Sequence, residues 1–452
     1  MNFKLHCLLL FFFLINSFLP YSAFAQESGV PLLRNYSPEE YNSEPQIWAI
    51  TQDQRGIMYF GASDGILEYD GSDWRKICTP KKQVVRSLDI DSNGRIYVGS
   101  NNEFGYLEPD ASGSLHYVSL SIFLDTMYQN FEDIWKTVVK SDVVYFSSNK
   151  FIFRFSPDKG KPSKKNLKVY KTETGFFLLF KNNADVFSFQ RRKGMYKIGK
   201  DSLEKIRGAT KVRTWFMETY EGNKSLIGTN PDGLFVYDPD ALNDEDIITK
   251  TYFNKAALAE TESFLNENQL YHAIRLRDGR FALATIRSGI VIIDKTGKIV
   301  QHICKENGLQ SQTVHYLFED RQGALWAALT YGISRIETHY PVSTWDEKAG
   351  LVGSIYNVIR FNRKIYASSN LGLYYLEKNR FYPVEELSGK NAIQVFDLKT
   401  FLMEGKNKFL ATATHGIWEV ADKNARNISR FVTFGMYQSP VDSNCLYIPE
   451  GN

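Results

Sequence analysis

Cysteine is scarce in this 452-residue chain, which holds four: Cys7, Cys78, Cys304 and Cys445. They lie far apart, and Cys7 falls in a leader-like opening, so an odd three would remain in the mature chain. A disulfide framework is therefore not indicated. Cys304 alternates with apolar residues in KIVQHICK and reads as a small buried hydrophobe. No CxxC, HExxH or clustered His/carboxylate set occurs, so the sequence implies no metal and no cofactor. Basic residues are scattered; their densest cluster, at 159–168, sits among Pro and Gly and reads as a solvated loop. With no basic face and no aromatic RNA-binding pattern, nucleic acid is not an expected partner. Helical periodicity of any length is absent, apart from a short helix expected within 251–267. After residue 26 no apolar run reaches membrane length.

The opening segment is different in kind. MNFKLHCLLLFFFLINSFLPYSAFA carries Lys4, an apolar run from Leu8 to Leu19, and Ala23-Phe24-Ala25 before Gln26. That is the layout of an export signal cleaved near Ala25-Gln26, so residues 1–25 are expected to be a signal peptide and the mature chain periplasmic or otherwise extracytoplasmic. Cys7 lies inside the apolar run and not at the cleavage point, which argues against a lipoprotein. Loss of Lys4 takes the formal net charge from +3 to +2, close to neutral.

What is abundant is a repeat. IWAITQDQRGIMYFGASDGILEYDG (47–71), VRSLDIDSNGRIYVGSNNEFGYLEPD (85–110) and VHYLFEDRQGALWAALTYGISRIE (314–337) share one pattern. Each holds an apolar strand, an acidic turn ending in Gly, an aromatic-rich second strand, a Gly and a third strand. The spacing of about 40 residues is that of propeller blades. Asp53–Gly56, Asp91–Gly94, Asp320–Gly323 and Asp278-Gly279 are hairpin turns in which Asp caps and Gly takes the left-handed position. Third strands start at Gly65, Gly105, Gly194, Gly233, Gly289, Gly332, Gly372 and Gly416; Phe151 breaks the rule, with Asn149 expected to supply that turn. A fourth strand follows, as in KIVQHICKENGL. The fold expected is all-β, a β-propeller of four-stranded antiparallel blades. Units from 26 to 338 make one seven-bladed ring, closed by an outer strand from the segment beginning VPLLRNY. Residues 339–452 open a second ring that stops unfinished, so the chain reads as the front of a longer protein. A single nine-bladed ring is disfavoured, since rings usually hold about four to eight blades.

The Asp-x-x-Gly turn, the second strands MYFGAS, IYVGSN and LWAALT, and the Gly-Ile/Leu third strand ending in Tyr-Asp or Glu resemble two-component regulator propeller repeats. The resemblance covers nearly all of 31–452. It implies the periplasmic sensor part of a Bacteroidetes-type hybrid two-component or triple-tyrosine-domain regulator. In such proteins two propellers are followed by a triple-tyrosine domain, a membrane helix and a cytoplasmic output domain. It further implies a homodimer in the full-length protein, membrane attachment through a C-terminal segment beyond this chain, and an oligosaccharide as ligand. Enzyme activity is not expected of these residues; a histidine kinase or other output domain would belong to the parent.

Aligned first strands expose one column: Trp48, Arg86, Trp135, Arg213, His272, His315 and Tyr356. The first strand of a blade is innermost, so these side chains are expected at the mouth of the central channel. Stacking rings with Arg and His donors suit a sugar or an anionic oligosaccharide. Loops between second and third strands add Asp64, Asn101, Asn102, Glu103, Arg191, Arg192, Asn230 and Arg287 on the same face. The candidate ligand-binding set is Trp48, Arg86, Trp135, Arg213, His272, Arg287 and His315. The competing expectation is that the column packs between blades and the loop residues are ordinary turn formers. The leading functional reading is a sensor module; a free-standing periplasmic binding propeller and a glycan-active propeller enzyme are the alternatives.

Overall fold

The recurring acidic turn is the local device from which the rest of the blade follows. The computed structural model describes residues 29–449, apart from 159–160, 183–184, 209–212, 341, 378, 404 and 443. The expected signal peptide and its cleavage point lie outside the described residues. Asp320 Oδ1 accepts from the backbone N–H groups of Gln322 and Ala324, each at 2.9 Å, while Oδ2 accepts from the Trp326 indole N–H at 2.8 Å. Asp91 repeats this with Asn93, Arg95 and the Tyr97 hydroxyl, and Asp53 with Arg55, Ile57 and Tyr59. One carboxylate therefore caps the hairpin and fixes an aromatic of the second strand. Acid, glycine and aromatic travel together in the sequence because they are one hydrogen-bonded unit.

The next turn needs glycine for a different reason. Gly65 opens its strand at φ +144°, and a Cβ there would lie 2.8 Å from the Ile77 carbonyl oxygen. In the blade whose third strand begins at Phe151, the turn is not made by Asn149 as expected. Ser148 Oγ accepts from the N–H groups of Lys150 and Phe151 at 3.1 and 3.0 Å, so a hydroxyl does the capping. The Asn149 amide oxygen instead accepts from Arg191.

These hairpins build four-stranded antiparallel sheets with simple up-and-down order. Their inner strands are Ile47–Gln52, Val85–Ile90, Lys136–Lys140, Phe176–Lys181, Thr214–Thr219, Leu270–Arg275 and Val314–Glu319. Each inner strand contacts the next, and Val314–Glu319 contacts Ile47–Gln52, so the sheets close into a ring. The last of them is completed from the other end of the chain: Leu33–Tyr36 pairs antiparallel with Ile333–Ile336. Val30–Pro31 pairs with Ser343–Thr344 just outside it. Tyr36 lies stacked on Trp326, with ring centroids 5.6 Å apart, and meets Tyr69 and Trp74 edge-on. The architecture is an all-β propeller.

Between blades the core is made by the faces of adjacent sheets, for example Ile290 and Ile303 against Val314, Leu317, Leu325 and Leu329, all buried. A helix, Lys255–Asn268, is inserted before the sixth inner strand. Asn254 caps it by accepting from Ala256 and Ala257, and it buries Leu258 and Leu265.

The chain divides into two compact units, Val30–Thr344 and, with Gly29, the residues from Trp345 onward. The second unit holds two further four-stranded sheets, headed by Ile355–Phe361 and Val395–Met403, and a short ladder between Tyr437–Gln438 and Leu446–Tyr447. Its core joins Tyr366, Leu373, Val384 and Leu387 to Leu398 and Phe409.

Candidate binding site in the channel of the ring

An irregularity of the inner strands creates the site. Pairing with the second strand skips register between Ile47 and Ala49, Val85 and Ser87, Phe176 and Leu179, Thr214 and Phe216, Leu270 and His272, and Val314 and Tyr316. A bulge leaves its extra residue out of the ladder and turns that side chain away from the pleat. The residues left over include Trp48, Arg86, Phe177, Trp215, Tyr271 and His315. In the remaining blade Trp135 follows buried Ile134 directly ahead of the strand. All seven line one cavity of ≈ 260 Å³ at the inner ends of the blades.

The seven form a collar. Trp48 and His315 stack at 4.4 Å between centroids; Tyr271 stands edge-on to His315 at 5.8 Å and tilted to Trp215 at 5.6 Å. Phe177 meets Trp215 edge-on at 5.1 Å. On the other side the Arg86 guanidinium lies 3.9 Å from the Trp48 ring and 4.9 Å from that of Trp135. Arg86 Nε donates to Asp133 at 3.1 Å, and Asn101 Nδ2 donates to the other oxygen of that carboxylate at 2.8 Å. Burial, reinforced by Arg86, pushes His315 down to about 4, so its ring is neutral at physiological pH.

One residue deeper, Lys136, His272 and Tyr316 also face the cavity. The Lys136 ammonium lies 5.1 Å from the Tyr316 ring centre. Burial lowers Lys136 to about 8, against the pull of Glu218 and Asp89, and burial with Lys136 holds His272 well below the usual imidazole range. His272 Nδ1 accepts from the Leu317 backbone N–H, which places its proton on Nε2. Below lies a second cavity of ≈ 130 Å³ lined by Asp89, Lys181 and Glu218 among others. Asp89 there binds Lys181 at 2.9 Å and the Val139 N–H at 2.7 Å. Burial raises Glu218 to about 7.

The candidate set is thus brought together only in part. Trp48, Arg86, Trp135, His272 and His315 line the cavity; Arg213 and Arg287 do not. Arg213 is exposed on the rim, its guanidinium 4.2 Å from the Phe177 ring, and the channel position of its blade belongs to Trp215. Arg287 is exposed and donates to the Glu267 carbonyl at the helix end, so it serves the insertion and not the channel. The sequence reading missed Phe177, Trp215 and Tyr271. The signal that finds them is the residue directly after the buried one at the strand start: Phe176, Thr214 and Leu270. In the second unit Tyr356 holds the matching bulge position, between Ile355 and Asn357, and accepts from Gln394.

No protein-family model matches the chain, and no curated protein matches it. Among solved structures it is similar to the extracellular domain assigned to a hybrid two component system of B. thetaiotaomicron. That match has a TM-score of 0.63 at 13% identity and covers 91% of this chain and 57% of that one. A second extracellular domain of this description from the same bacterium gives 0.52 at 13% identity, covering 93% and 57%. The WD40 β-propeller domain of Doa1 gives 0.50 at 12% identity, covering 69% and 97%. The chain therefore spans 57% of the length of each of the first two. At such identities the likeness is one of fold.

Proposed function

We propose that this chain is the extracytoplasmic ligand-sensing part of a bacterial transmembrane signal-transduction regulator, with its ligand held in the collar of the ring. The observation that carries the reading is the collar itself. Each of seven blades sends one ring or guanidinium into the same cavity, mostly through a bulge that a purely structural strand does not need. Stacking faces with a few fixed polar groups are how carbohydrates are held, so a carbohydrate or related small molecule is the ligand class. The fold shared with extracellular domains of two component systems supports the sensing role. On this reading residues 1–25 direct export, a later segment of the full-length protein anchors it as a dimer, and the output chemistry lies on that segment. The ring binds and does not catalyse.

The test is a thermal-shift screen of mono- and oligosaccharides on the secreted chain and on a Trp48→Ala variant. A stabilising sugar whose apparent affinity falls about tenfold or more in the variant, which removes the ring that holds Arg86 and His315 in place, supports the reading. A panel without response, or one equally effective on the variant, refutes it.

A further inference from the structure

The unpaired polar atoms of the collar are one-sided. Three residues of the lining each carry a buried side-chain atom with no hydrogen-bond partner within the protein: Arg86 Nη1, Trp215 Nε1 and His315 Nδ1. The first two can only donate. His315 Nε2 faces the Gln46 amide nitrogen at 3.2 Å and the Thr330 hydroxyl at 2.9 Å, so it accepts, and Nδ1 carries the proton. His315 is itself more than nine-tenths buried, at 8% exposure. Around them the same sign recurs. His272 presents Nε2–H, and Asn149, whose oxygen is taken by Arg191, has its N–H₂ left to give. Arg86, Lys136 and Arg191 are the charged residues of the lining, and among the described residues no Asp or Glu belongs to it. Of the carboxylates that come near, Asp133 pairs with Arg86 through Nε alone and accepts from Asn101 on its other oxygen, and Asp89 is held by Lys181 and the Val139 N–H. Glu218 lies in the deeper cavity.

Buried donors left unpaired are destabilising, and three on the residues of one cavity lining ask for an acceptor-rich partner. The Ser87, Thr137, Tyr271 and Tyr316 hydroxyls of the lining can accept as well as donate, but its charges are all cationic, and an oxyanion, which only accepts, answers them and the unpaired donors better than a neutral sugar does. From this geometry we infer that the collar takes a small ligand bearing an oxyanion, a carboxylate, sulfate or phosphate, placed against Arg86, Trp215 and His315. The inference rests on the collar being the ligand site proposed above and adds the charge of what it holds. A cavity of ≈ 260 Å³, just under the ~300–1,000 Å³ of usual small-molecule pockets, fits one ring-sized group.

The experiment titrates intrinsic tryptophan fluorescence, to which Trp48, Trp135 and Trp215 report, with probes of one shape and different charge. The probes are glucose, glucuronate, glucose 6-sulfate and glucose 6-phosphate. We expect at least one charged probe to bind about tenfold or more tighter than glucose, and the charged group that wins names the oxyanion. We expect that margin to vanish in Arg86→Gln and shrink in Lys136→Met, with circular dichroism confirming that both variants fold. If one variant does not fold, the other decides. Glucose binding as well as every charged probe overturns the inference and leaves the sensing reading standing. A margin that persists in folded Arg86→Gln overturns the assignment of the oxyanion to the collar. No response to any charged probe overturns the inference also, while the sensing reading is judged separately by the sugar screen.

Discussion

Single residues show most clearly where stability and binding pull apart. Asp320, 1% exposed, satisfies a turn and an indole at once and is wholly structural. Glu218 is the opposite case, held in the channel with its carboxyl raised from an ordinary 4.5 to about 7 by burial. The folded protein then binds a proton at Glu218 that the unfolded chain has given up between pH 4.5 and 7. Its contribution is fully present below about pH 4.5 and is lost as pH rises through 7. Replacing Glu218 by Gln is expected to remove this decline. In urea unfolding from pH 4 to 8 the variant should gain on the parent as pH rises, by up to ~3 kcal/mol less what channel water screens. Parallel pH profiles would show that Glu218 is not desolvated.

The inner strand is the element on which both fold and site depend, and it also explains what could be read in advance. Turns, glycines and aromatic second strands were legible because each is fixed by local chemistry, as Asp53, Asp91 and Asp320 show. The collar was legible only where an apolar residue precedes it, as Ile47 precedes Trp48 and Val85 precedes Arg86. In the fifth blade the buried anchor is Thr214, so alignment on apolar character lands on Arg213 in place of Trp215. In the run Phe176 to Phe180 every position is apolar, and a bulge cannot be located by alternation at all. In the sixth blade Tyr271 passes for core, and His272, one step deeper, takes its place in the column. The second strand is just as constrained from its neighbour's side. A Cβ on Gly99 would lie 2.4 Å from both Ile134 Cγ2 and Ser87 Oγ, where Ser87 donates to the Ile134 carbonyl of the next blade. Gly99→Ala is therefore expected to lower stability by ~1–3 kcal/mol, measured by thermal or urea unfolding.

At the scale of the whole ring, the strand Leu33–Tyr36 is the fastening. Deleting it would leave Ile333–Ile336 as an open edge and take Tyr36 out of the cluster with Tyr69, Trp74 and Trp326. We expect such a deletion, with residues 1–29 kept, to cost at least ~4 kcal/mol and to open the last blade, near residues 320–338, to protease. A deletion variant with unchanged unfolding would mean that the ring does not depend on this strand.

That fastening also sets a clock. Its partners, Leu33 and Ile336, are separated by about 300 residues of chain. At ~5–20 residues per second of synthesis, roughly 15–60 s pass between the appearance of the first and that of the second. Throughout that time six blades can form in sequence while the seventh has only its outer strand, Leu33–Tyr36, which waits unpaired for the three strands of 314–336. Completion of the ring is a single late, long-range event. The waiting strand is thus the chain's point of exposure to aggregation during its birth, and keeping it short and punctuated by Arg34 and Asn35 is a means of surviving the delay.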